Sequence, residues 1–178
     1  MTYLVQKYSN FPHHKVIGSG TSLDTARLKY LVGKKINVNP KNVHGYVIGE
    51  HGDSEFVPWS NVNIGLQNID DFLNQEEKIT LENSVREAAY EIINKKGATY
   101  YGIGMCLVSI TDAILSDENA IITVSNYDEE NEIYIGLPAI INKTGVSKKM
   151  KVNLTAEEEA KFKNSIRIIK EAIAKISE

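Results

Sequence analysis

The chain has 178 residues, 42% of them hydrophobic and 8% aromatic, which is enough apolar side chain to close a core in one domain and too much for a disordered segment. Its 20 Lys and Arg against 23 Asp and Glu leave a net charge of −3 with no basic stripe, which argues against nucleic acid as the main partner. One cysteine, Cys106, excludes a disulfide framework and a Cys-based zinc site. No apolar run approaches the roughly 18 residues that span a bilayer, and MTYLVQKYSN lacks the regions of a signal peptide, so a soluble cytoplasmic protein without a membrane partner is expected.

In chain order, a short helix ends near Asn10, where Phe11-Pro12 breaks it ahead of the glycine-bearing stretch VIGSGTS. A helix starts near Ser22. Residues 43–48 (VHGYVI) and 61–65 read as strands. Leu81, Val85, Ala88, Ala89 and Ile92 recur at helical spacing, and that helix frays at Lys95-Lys96-Gly97. A second, almost uniformly apolar helix over 100–115 is expected to be buried. Residues 120–127 and 133–141 form a hairpin around the acidic turn DEENE. In the last helix Thr155 and Glu158 make a capping box, and Phe162, Ile166, Ile169, Ile173 and Ile176 form one stripe. Irregular alternation without repeats or a linker predicts one α+β unit, a largely antiparallel sheet packed with long helices, rather than a regular doubly wound sheet.

Two features point to chemistry. On a helical wheel of about 100° per residue, Asp24 and Arg27 fall inside the apolar arc of Leu23, Ala26, Leu28, Tyr30, Leu31 and Val32, while Thr25 and Lys29 occupy a narrow polar sector. As a solvated helix pair the two charges contribute roughly 0.2–0.5 kcal/mol. Inside an apolar arc they must instead be paired or functional to offset their desolvation. The second feature is VIGEHGDS, in which His51 stands between Gly49 and Gly52 at a strand end. An aspartate can accept the ring N–H of a histidine and fix its tautomer, and an arginine fork can bind a carboxylate with two parallel hydrogen bonds. A metal reading of His44, His51, Glu50 and Asp53 is disfavoured, because the two histidines are seven residues apart and lack a tight chelating spacing. His13 and His14 read as loop residues.

The strings GSGTSLDTARLKYLV, VHGYVIGEHGDSEFVPWS, KKGATYYGIG and GLPAIINKTG, in this order, resemble the C-terminal half of bacterial L-lactate dehydrogenases in the lactate/malate dehydrogenase family. Glu50 before the histidine favours the lactate branch. The resemblance implies that residues 1–178 are the substrate-binding and catalytic domain, with NAD as cofactor, pyruvate and lactate as substrates, and a homotetramer as the complete enzyme. It further implies His51 as the acid/base, Asp24 as its carboxylate partner, Arg27 as the substrate-carboxylate clamp, Thr99 in the substrate pocket and Ile103 near the nicotinamide. His44 matches the histidine of a fructose 1,6-bisphosphate site, where Lys29 stands in place of the family's arginine; it keeps the charge and loses the bidentate fork.

The sequence contains no G-x-G-x-x-G turn between a strand and a helix, so the N-terminal Rossmann domain of such enzymes is expected to be absent and Met1 to lie near the domain junction. Little or no dehydrogenase activity is therefore expected of the chain alone. A non-catalytic association or sugar-bisphosphate-binding module, and L-2-hydroxyisocaproate dehydrogenase specificity, are the alternatives.

Overall fold

The computed structural model describes residues 1–176. Helix α1 (Thr2–Ser9) ends at Asn10 in the left-handed conformation, and α2 (Ser22–Ile36) ends the same way at Asn37, whose N–H closes onto Gly33. The short strands β1 (Val43–His44), β2 (Asn63–Ile64) and β3 (Gln67–Asn68) form one small antiparallel sheet. Helix α3 (Gln75–Lys96) begins at a reciprocal Asn74–Glu77 capping box and stops at Gly97, with φ +77°. Helix α4 (Tyr101–Leu115) follows. The main sheet consists of β4 (Ala120–Asp128), β5 (Ile133–Asn142) and β6 (Gly145–Lys149), all antiparallel, and α5 (Ala156–Lys175) starts at the expected Thr155–Glu158 capping box.

Apolar side chains collect in two places. Leu28 and Val32 of α2 pack with Val43, Val47, Val62, Ile69 and Val85 between the small sheet and α3, while Ile110 and Ala113 of α4 pack on Val124, Ala139 and Ile141 of the main sheet. Burying side chains of this size supplies about 1.5–3 kcal/mol each, the main term that holds the elements together.

Three expectations need correction. The strand over 43–48 stops at His44, because the start of α2 takes the next backbone groups. Thr25 Oγ1 accepts from Val47 N at 3.0 Å, and Thr21 Oγ1 donates to Val47 O at 2.6 Å. For the same reason Thr25 is buried and not in a solvent-facing sector. Helix α4 is mostly uncovered: Tyr101, Met105, Leu107, Val108 and Leu115 are exposed, since only the face carrying Ile110 and Ala113 meets the sheet. Strands β3 and β6 were not expected. Both are second arms of hairpins, and β6 is mostly polar outside Gly145 and Val146.

A row of small residues crosses the main sheet. Gly18 pairs with Ser125, Ser125 with Gly136, and Gly136 with Gly49 through two backbone hydrogen bonds of 2.9 and 3.0 Å. The segment preceding His51 is thereby fastened to β5. Gly49 has φ +105°, and a Cβ there would lie 2.6 Å from Ser165 Oγ of α5. Replacing Thr25 by Val keeps its volume but leaves Val47 N–H buried without an acceptor. This substitution is expected to cost about 1–3 kcal/mol, read as a lower urea midpoint at unchanged m-value.

Candidate functional site

Asp24 lies in the first turn of α2, whose start is pinned to the interior by Thr21, Ser22 and Thr25. Ser22 Oγ donates to Thr123 O and Thr25 Oγ1 to Thr123 Oγ1 at 3.3 Å, so the helix end is held against β4. The carboxylate is therefore only 2% exposed. Arg27 Nη1 meets Asp24 Oδ1 at 3.0 Å, and His51 Nδ1 lies 2.8 Å from Asp24 Oδ2. The imidazole is brought there by the Gly49–Gly136 pairing, which ends two residues before it.

A second carboxylate shares the same ring nitrogen. Glu55 Oε2 is 3.4 Å from His51 Nδ1, and the ring N–H is directed better toward Glu55 than toward the closer Asp24 oxygen. Its side chain is 5% exposed. The two carboxylates, Asp24 first, raise the His51 pKa from 6.5 to about 10 against a smaller opposing effect of burial. Burial in turn pushes the Glu55 carboxyl up to about 7, partly offset by the hydrogen bond to His51. Glu50 and Asp53, the acids adjacent to the histidine, are engaged elsewhere: Glu50 Oε2 accepts from Ser54 Oγ at 2.7 Å, and Asp53 Oδ1 from Tyr90 OH at 3.4 Å.

Donor atoms of Asp24, His51 and Glu55 lie within 4.8 Å of one another. The guanidinium on Asp24 and the proton on Nδ1 already supply the positive charge that a cation would bring, so the trio reads as a proton-holding arrangement. Nε2 of His51 has no protein partner among the described residues. The ring is half exposed at the wall of a cavity of about 430 Å³, whose floor includes Gly20, Gly49, Ser125 and Gly136 and whose sides include Ile168, Ile169 and Ile173 of α5. That volume falls within the usual range of small-molecule sites. An imidazolium with one nitrogen fixed on carboxylates and the other facing such a space can pass a proton to a bound oxygen.

The other expected site residues lie farther from this centre. Arg27 is not among the cavity walls; the nearest buried negative charge, Asp24, draws its fork. Thr99 is half-buried in the turn between α3 and α4, and Ile103 is half-buried in α4, whose Gly102 packs against Leu23 of α2. Neither Thr99 nor Ile103 borders the cavity. Lys29 holds its ammonium 5.1 Å from the centre of the Tyr46 ring, and burial lowers its pKa. His44 is exposed on β1, and among the described residues no hydrogen bond joins it to Lys29. Glu55 was missed by sequence reasoning; its only signal was its position four residues after His51.

Comparison with known proteins follows the same lines. Residues 21–178 match the model of the lactate/malate dehydrogenase, alpha/beta C-terminal domain family. L-lactate dehydrogenase 1 of Bacillus cereus (strain ATCC 10987 / NRS 248) and L-lactate dehydrogenase 2 of Bacillus anthracis are each 46% identical over 186 residues, covering 99% of this chain and 59% of their own length. A solved lactate dehydrogenase, MGS-M5 from a Medee basin deep-sea metagenome library, superposes with a TM-score of 0.95 at 46% identity, over 99% of this chain and 60% of its own. The minor L-lactate dehydrogenase of Enterococcus mundtii, in a ligands-bound form, gives 0.95 at 38% identity, over 98% of this chain and 59% of that one. The chain thus spans a little under three fifths of the length of these relatives. With a family model that matches most of its length and a fold that superposes on these relatives, the chain belongs to the lactate/malate dehydrogenase family, as its alpha/beta C-terminal domain.

Proposed function

We propose that residues 1–178 are the substrate-binding and proton-transferring part of a cytoplasmic, NAD-dependent L-lactate dehydrogenase that interconverts (S)-lactate and pyruvate. The observation that carries this reading is His51 Nδ1 lying 2.8 Å from the buried Asp24 carboxylate while the same ring borders the cavity. In reduction, the protonated ring gives its Nε2 proton to the oxygen of pyruvate's carbonyl. In oxidation, the neutral ring removes the hydroxyl proton of lactate, and Asp24 stabilises the imidazolium that forms. Among the described residues Arg27 has a second fork nitrogen without a protein partner, and turning from Asp24 lets it hold the substrate carboxylate through two N–H···O bonds. Thr99 is proposed to contribute to the substrate pocket and Ile103 to lie near the nicotinamide, each from outside the cavity wall.

NADH, when bound, supplies the hydride. The apolar α5 wall and the glycine floor suit a flat nicotinamide ring, whereas the 178 residues contain no G-x-G-x-x-G turn for the pyrophosphate. Lys29, tied to Tyr46, and His44 form a poor counterpart to an arginine-bearing phosphate site, so activation by fructose 1,6-bisphosphate is proposed to be weak. The uncovered apolar side of α4 supports association with further copies, a homotetramer in the complete enzyme.

The 178-residue chain alone is expected to give no steady pyruvate-dependent NADH oxidation. Joined to the nucleotide-binding part of the Bacillus cereus relative, it is expected to turn over, and His51→Gln to lower that turnover by about 10²–10⁴-fold. Turnover of the His51→Gln enzyme near that of its parent would sink the reading. In the same enzyme Asp24→Asn removes the main cause of the raised His51 pKa. Reduction needs the protonated ring, so its loss with rising pH should begin at lower pH in Asp24→Asn, as followed in pH–rate profiles.

A further inference from the structure

Glu55 has no place in the reading so far, although its carboxylate is as enclosed as that of Asp24. Burying a carboxylate is costly unless it is paired, and the cation to expect beside it is Arg86 of α3. Arg86 turns elsewhere: Nη2 donates to the backbone carbonyl of Glu55 at 3.3 Å and to Glu82 Oε1 at 3.5 Å. Among the described residues the one cationic partner of the Glu55 side chain is His51 Nδ1, and the Asp24 carboxylate stands close beside it.

We propose, on the reading of His51 as the acid/base, that Glu55 is a second positioning carboxylate. It shares Nδ1 with Asp24, helps to fix the orientation of the ring, and keeps the imidazole loaded with its proton before the carbonyl substrate arrives. Asp24 is divided between two cations, because Arg27 takes its Oδ1. When Arg27 leaves for a substrate carboxylate, Asp24 is held only by the ring; when Arg27 stays, the ring has a share of Asp24. Glu55 gives the ring N–H a well-directed acceptor in both cases. Burial first, and the neighbouring Asp24 carboxylate after it, push the Glu55 carboxyl up to about 7, while the hydrogen bond to His51 pulls the other way.

The charged and titratable groups around this centre leave the assignment to Glu55 intact. From α2 come Asp24 and Arg27. From the loop itself, Glu50 and Asp53 are held by Ser54 and Tyr90. From α3, Arg86 and Glu82 hold one another. From α5, Lys161 lies across the shallow pocket beside Glu55 and is paired with Glu157 at 3.6 Å. On α4, Cys106 lies near Asp24 and Arg27, and Tyr134 and Met1 border the cavity.

The test is an NMR titration of the His51 ring in the 178-residue chain from about pH 5 to 11, with His51→Gln used to assign its signal. Glu55→Gln keeps the shape and an acceptor oxygen but removes the charge. It is expected to lower the proton affinity of His51 by about tenfold, a shift of about one pH unit, with Glu55→Asp restoring much of it. Glu55→Gln should also be at least as stable as the parent above pH 7 by urea titration, because burying the charged carboxyl then opposes folding. A His51 midpoint unchanged in Glu55→Gln while Asp24→Asn lowers it would overturn the proposal. This readout needs no turnover: if Glu55→Gln shifts the midpoint but His51→Gln leaves the joined enzyme active, the contact stands and the acid/base reading fails.

Discussion

Asp24 keeps a carboxylate where water scarcely reaches it, and much of the surrounding structure serves to make that tolerable. An isolated charge in such a place costs several kcal/mol, so it is stable only with opposite charge at short range. Arg27, one turn on along the same helix, meets one oxygen; His51, from a distant loop, comes to the other. The hydroxyls of Thr21, Ser22 and Thr25 hold the helix end in position by bonding to Val47 and Thr123 instead of to their own helix. Side chains that commonly cap a helix are thus used to anchor it, and the anchoring sets where the charge sits.

The loop that carries His51 is governed by a second constraint, the close approach of backbones. Gly49 pairs with Gly136 and Ser165 of α5 presses against it, so the histidine leaves the sheet from a fixed point. Ser165 Oγ also donates to Ser54 O at 2.7 Å, closing the far side of the loop. The imidazole is positioned by contacts from α2, β5 and α5 together. Its charge state is set by two carboxylates that arrive from different elements.

Much of this was legible in the sequence, and the parts that were not share a cause. Asp24 and Arg27 stood out because charges inside an apolar helical arc demand partners, and His51 because it sits between glycines at the end of an apolar run. Helix ends at Asn10, Gly97 and Thr155 followed from local chemistry that needs no tertiary contact. Thr25 was misread because a wheel treats threonine as polar, whereas its hydroxyl can satisfy a backbone group in the interior. The α4 surface was misread because composition reports that a helix is apolar, not what covers it. Glu55 was passed over because nothing in SEFVPW distinguishes a buried glutamate from a solvated one; its burial comes from Phe56 and Val57 turning inward beside it. The pairing of β6 depends on a hairpin whose residues alternate too weakly to register as a strand.

The row of Gly18, Ser125, Gly136 and Gly49 bears on how such a site can diversify. Glycines make up much of the cavity floor, and a Cβ at Gly20, Gly49 or Gly136 would lie only 2.4 to 2.7 Å from the nearest neighbouring atom. Substitution therefore cannot remodel the pocket from below. Variation in the shape of an accepted ligand has to enter through the walls contributed by α1 and α5, where Leu4, Ile168, Ile169 and Ala172 can change size without disturbing the sheet. The base of the cavity is thus constrained by close backbone packing, whereas its sides tolerate change.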